Sequence, residues 1–128
     1  VLEGLAGELA CKVASDEQIA QIVARHEDMF RHYEAGDRPA YFKASHDIHS
    51  ALMTAASNEV LSQHYAMLSA RVERARLLAN VSDSRWAEAV EEHREIVKAI
   101  KARDGARLSD LLRRHLNNKL SALKKALS

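Results

Sequence analysis

Seven histidines stand among 128 residues, and three of them fall on apolar stripes that helical spacing would turn inward. Phe42, Ser45, His49, Leu52, Met53 and Ala56 recur at intervals of three and four, which places side chains on one face of a helix. The same spacing aligns Trp86, Ala89, Val90, His93, Ile96, Val97 and Ile100, with His93 in mid-stripe. Leu108, Leu112, His115, Leu116 and Leu123 make a third stripe, with His115 at or just inside its buried edge. Imidazoles from three helices facing one interior could meet at a common point. Neutral imidazole is the commonest side-chain ligand for zinc, nickel and similar divalent ions, and three of them leave positions for water or a small anion. The same pattern also suits partly buried histidines that each make one hydrogen bond. His26 illustrates this, since it too lies on an apolar face, between Val23 and Phe30. His32 and His64 read as surface or boundary positions without a role.

Six helical segments must position these side chains. The first runs from the start of the chain to about Val13. Ser15 and Gln18 form a capping box for the second, which carries Ile19, Ile22, Val23, Met29, Phe30 and Tyr33. Gly36-Asp37 stops it, and Asp37 caps a third helix with Pro39 in its first turn, where a missing N–H does no harm. Ser57 or Asn58 breaks that helix and caps a fourth, continuing through Leu61, Leu68, Val72 and Leu77. The polar stretch Asn80 to Ser84 connects to a fifth helix from about Arg85 to Ala102, and Asp104-Gly105 turns the chain into a sixth that ends near Leu127. Nothing alternates with period two for long enough to suggest a sheet. Connections this short force antiparallel neighbours, so the predicted fold is all-α, an antiparallel bundle of about six helices.

Composition agrees. Only one Pro and four Gly occur, and 128 residues suffice for one domain with a real core. The 19 basic and 18 acidic residues give a formal net charge of +1, which argues against a nucleic-acid surface inside this segment. A single cysteine, Cys11, excludes an internal disulfide and suits a reducing compartment, so the expected location is cytoplasmic. No apolar run approaches the ~20 residues that span a bilayer, and no signal peptide is visible. The chain opens with Val1 inside the already helical pattern Leu2, Leu5, Ala6, Leu9, with no capping residue before it; the expectation is a fragment with its upstream part removed.

Five motifs in register resemble the FadR C-terminal (FCD) domain of GntR-family transcription regulators. Leu2-Glu3 through Leu9-Ala10 matches an early L-E-x-x-A-x-x-L-A helix, and Gly36-Asp37 a turn before the third helix. Ser45 through Leu52, followed by Ala55, Ala56 and Asn58, corresponds to a D-x-x-F-H-x-x-L segment. Glu92-His93, Ile96, Ala99 and Ile100 match E-H-x-x-I-x-x-A-I; after the turn at Asp104, Arg113, His115 and Leu116 match a final R-x-H-L. The resemblance covers essentially the whole of residues 1–128 as one effector-binding and dimerisation domain.

Many members of this family hold a divalent metal, zinc or nickel being the expected choice here, with three His and one Asp or Asn. By position the resemblance implies His49, His93 and His115 as ligands. Ser45 stands where the family has its acid or amide, and Ile48 where it has Phe. Asp47 cannot substitute, because two residues turn roughly 200° around a helix. His46 could share the face of His49 at its margin. The family's metal sits at the floor of a pocket for a small organic acid. Candidate effector-binding residues are Arg71 and Asn58. Arg71 follows Leu61, His64 and Leu68 at helical spacing, and its guanidinium suits bidentate carboxylate recognition; it equally suits an edge position with its stem on apolar surface. Arg74 is a weaker rival.

The resemblance implies a ligand-sensing domain that forms a homodimer and modulates DNA binding by an upstream winged helix-turn-helix domain absent from this chain, with no membrane partner. One alternative is a metal-free sensor of acyl or lipid effectors, which Ser45 favours modestly. A helical metalloenzyme is less well supported, because there is no H-E-x-x-H motif and no Glu-x-x-His pair on two helices, while Glu91 and Glu92 project away from His93.

Overall fold

The computed structural model describes residues 2–64 and 82–127. Six helices and no strand occur among them: α1 (Leu2–Val13), α2 (Asp16–Glu34), α3 (Arg38–Ala55), α4 (59–64 of it described), α5 (Asp83–Lys101) and α6 (Gly105–Leu127). The continuation expected for α4 through Leu68, Val72 and Leu77 lies outside the described residues.

Side-chain caps define most of the starts. Ser15 Oγ accepts from the Gln18 N–H at 3.1 Å, and the Ser15 N–H donates to Gln18 Oε1 at 2.9 Å, completing the expected capping box. Asp37 accepts from the Ala40 N–H at 3.2 Å, with Pro39 in the first turn of α3. Asn58, rather than Ser57, caps α4 by accepting from the Leu61 N–H at 3.1 Å, while Ser57 is a left-handed residue at φ 53°. Each such cap contributes about 1 kcal/mol.

Two boundaries differ from expectation for identifiable reasons. Ser82 caps α5 by accepting from the Arg85 N–H at 3.1 Å, so the helix starts at Asp83 and not at about Arg85. Asp83 then lies in the first turn, where a carboxylate suits the helix dipole. Between α5 and α6 the left-handed residue is Arg103, at φ 51°, while Gly105 is already helical behind its cap Asp104, which accepts from the Arg107 N–H at 3.1 Å. Gly105 is needed for closeness instead: a Cβ there would lie 3.2 Å from the carbonyl oxygen of Glu8 in α1.

The α1–α6 and α2–α5 pairs run antiparallel. Gly4 of α1 lies against Ser109 and Arg113 of α6, Gly7 against Leu108 and Leu112, and Glu8 against Gly105, so ascending numbers on α1 meet descending ones on α6. Likewise His26 of α2 meets His93 of α5 while Tyr33 meets Trp86. The core brings together Ile22 and Met29 of α2, Tyr41, Ile48 and Leu52 of α3, Trp86, Val90, Ile96 and Ile100 of α5, and Leu108 and Leu112 of α6. At one end, Tyr33 and Tyr41 pack edge-on against Trp86 with ring centroids 4.8 and 5.4 Å away, and the Arg38 guanidinium covers the indole at 4.6 Å. No helix among the described residues is long and apolar enough to cross a membrane.

Candidate metal centre

The three stripes of the sequence converge. His49 of α3, His93 of α5 and His115 of α6 are each about 1% exposed, and one ligand nitrogen from each lies within 4.8 Å of the others. The His49 and His115 rings stack with centroids 6.1 Å apart, while His93 stands edge-on to both, at 5.7 and 4.5 Å. Side chains that point inward from antiparallel helices at one level meet in this way, and burial excludes the water that would otherwise solvate them.

His115 is held from behind by a carboxylate. Its Nδ1 donates to Glu92 Oε1 at 2.5 Å. The same carboxylate accepts from Arg85 Nη2 at 2.9 Å on Oε1, from Arg85 Nη1 at 3.1 Å on Oε2, and from Asn118 Nδ2 at 2.7 Å on Oε2. With Nδ1 carrying the hydrogen, the lone pair of neutral His115 sits on Nε2. A carboxylate behind an imidazole fixes its tautomer and raises its basicity, an arrangement typical of metal-bound histidines. Arg85 is only 6% exposed. Burial alone would lower its pKa, but hydrogen bonds and charge from Glu92, then Glu88, outweigh that and hold the guanidinium above its ordinary value.

His26 belongs to the same assembly. It is fully buried, with Nε2 3.1 Å from His93 Nδ1 and Nδ1 3.0 Å from the carbonyl oxygen of Ile22. Burial pushes its pKa down to about 4, the Ile22 carbonyl opposing the shift and nearby His49 adding to it, so the ring is neutral at neutral pH.

The other residues singled out in the sequence fall as follows. Ser45, one helical turn before His49, is buried, and its Oγ has no hydrogen-bond partner among the described residues. His46 is half-buried and stands outside the cluster, as does Asp47, which lines a surface cavity of about 270 Å³ with Arg25, Asp28, His32, Lys43 and two alanines. The Asn58 side-chain oxygen serves as the cap of α4. Arg71 and Arg74 lie outside the described residues. His64 is exposed and His32 half-buried, in line with the boundary positions expected of them.

The donor set fits a divalent ion. Three imidazole nitrogen donors from three helices suit zinc and nickel, and the hydrogen bond behind His115 is the support that such a ligand needs. Glu92 is the residue that sequence reasoning missed. Its Cβ leaves the helix away from His93 as expected, but the long side chain reaches α6. The available signal was His115 with Asn118 three residues on, a polar pair on the face of α6 turned to α5.

The family model of the FCD domain matches residues 1–118. Comparison with curated proteins finds no match.

Proposed function

The chain belongs to the FCD domain family, the ligand-sensing regulatory domain of GntR-type transcription regulators, and on that basis we propose that it binds a divalent ion at His49, His93 and His115 and, beside it, a small organic acid. The observation that carries this reading is the meeting of the three imidazoles, supported by the carboxylate behind His115. The ion would supply positive charge in a buried setting of low dielectric. With imidazoles as its direct ligands, that charge would attract a carboxylate. Ser45 adds no negative charge where an acidic ligand would reduce the attraction. Its Oγ and the Tyr41 hydroxyl lie one and two turns before His49 on the same face of α3, both buried and without hydrogen-bond partners among the described residues. They are suitable donors for a small polar ligand.

Glu92 is held by His115, Arg85 and Asn118, which suits a supporting role better than that of a general base. The proposed output is regulatory: two copies associate, and the acid favours one dimer geometry over another, altering DNA binding by a winged helix-turn-helix segment outside these 128 residues. Such a ligand must bind the two geometries unequally, since equal affinity shifts nothing. Isothermal titration of the zinc-loaded and nickel-loaded domain with a panel of hydroxy and keto acids tests the reading. Binding by at least one acid, lost in His93→Ala with the helical circular dichroism retained, is the expected result. A flat panel counts against it.

A further inference from the structure

His26 contributes no ligand nitrogen to the cluster, yet it is buried in the middle of the bundle on α2, a helix that supplies none of the three converging imidazoles. An imidazole in such a place is costly unless its polar atoms are matched. Its two contacts assign hydrogens in sequence. The Ile22 carbonyl can only accept, so His26 Nδ1 is the donor in their 3.0 Å contact. A neutral imidazole has one N–H, so His26 Nε2 carries a lone pair and accepts. His93 Nδ1, 3.1 Å away, must then donate, which places the lone pair of neutral His93 on Nε2.

Resting on the reading of His49, His93 and His115 as a metal centre, we infer that His26 is a positioning residue of that centre: it holds His93 as the Nδ1–H tautomer, sets the angle of its ring, and presents Nε2 as the ligand atom. His26 thus does for His93 what Glu92 does for His115, with one chemical difference. Glu92 brings a negative charge to its histidine, while His26 brings a neutral acceptor anchored on the backbone of α2. His93 is therefore oriented without being made more anionic, which preserves the positive charge that an acid ligand would meet. The Ile22–His26–His93 chain also ties α2 to a centre whose ligands come from α3, α5 and α6.

The test uses the purified domain, stripped of metal and then titrated with zinc and with nickel in competition with a chelator. His26→Phe keeps a ring of similar size and removes the acceptor; His26→Gln restores an acceptor oxygen. Support consists of a ten- to hundredfold loss of affinity in His26→Phe, substantial recovery in His26→Gln, and a metal-free wild type in which nitrogen-15 NMR finds His93 protonated at Nδ1. Unchanged affinity in His26→Phe, or His93 protonated at Nε2 in the wild type, overturns the positioning role. If His26→Phe does not fold, the wild-type tautomer decides. A wild type that binds neither ion while His93 keeps its Nδ1 hydrogen overturns the metal centre instead, so the two failures are told apart.

Discussion

Glu92 of α5 and His115 of α6 are joined by a 2.5 Å hydrogen bond, and through it the buried charge of Arg85 is connected to the candidate centre. Removing the charge from Glu92 tests this link. Glu92→Gln keeps the shape but weakens the acceptor behind His115, so zinc affinity is expected to fall by about ten- to hundredfold. It also leaves the buried Arg85 guanidinium with only the exposed Glu88 as an anionic partner, so the melting temperature of the metal-free protein should drop as well. Chelator competition and thermal melts read the two effects separately. Equal affinity in the two proteins would remove Glu92 from the centre.

Metal should stabilise the fold in proportion to its binding. Zinc at a free concentration 100 times its dissociation constant adds about 2.7 kcal/mol, a rise in melting temperature on the order of 10 °C for a chain of this size. His93→Ala should lose that increment, and a chelator should return the wild type to the metal-free value. Differential scanning calorimetry with and without zinc checks this; a wild-type melt insensitive to both zinc and nickel argues against the centre.

The contact between α1 and α6 is predicted to be intolerant at Gly7. A Cβ there would stand 2.6 Å from Leu112 Cδ1 and 3.0 Å from Leu108 Cγ, both side chains fully buried in the core. Overpacking of this kind costs about 1–3 kcal/mol, against roughly 1 kcal/mol gained from the higher helix propensity of alanine. Gly7→Ala should therefore lose up to about 2 kcal/mol in urea denaturation. Gly4→Ala meets the exposed Arg113 side chain, which can move aside, and the buried Ser109 Oγ at 3.1 Å, which offsets the gain in helix propensity, and should be close to neutral.

Alkaline pH should weaken the fold through Tyr41. Burial raises its hydroxyl well above the ordinary value of 10.0, the charge of Glu92 adds to the shift, and Arg85 opposes it. The sign follows from the unfolded chain, which releases this proton near pH 10 while the folded one keeps it. The stabilisation is complete below about pH 10 and declines above it, by about 1.4 kcal/mol per pH unit for the one proton. Tyr41→Phe should flatten the decline between pH 10 and 11 in urea denaturation. An identical slope in both proteins would show that Tyr41 ionises in the folded state.

The inward placing of the three histidines was legible in the sequence because helical phase determines which way a Cβ points. His49, His93 and His115 each sit on an apolar stripe, and stripes face the core. Phase does not determine where a long side chain ends, and so Glu92 looked detached from the site although its carboxylate reaches His115. His26 was visible as an inward residue, but its bond to His93 depends on the register of α2 against α5, which no local pattern encodes. The caps at Ser15 and Asp37 were readable because they act within three residues of themselves. Gly105 was misread as the turn residue, since its function lies in the approach of Glu8, far away in the chain. The family resemblance in the sequence is matched by the family model over residues 1–118.

Three of the four glycines, Gly4, Gly7 and Gly105, lie where α1 meets α6, so at each of these points side-chain padding comes from one helix at most. Padding is what normally absorbs a small displacement, by changes of rotamer. Where it is thin, a slide of one helix carries the other with it. His115 rides on α6, so a shift at that imidazole would be passed on to α1, as through a stiff coupling and not through a spring.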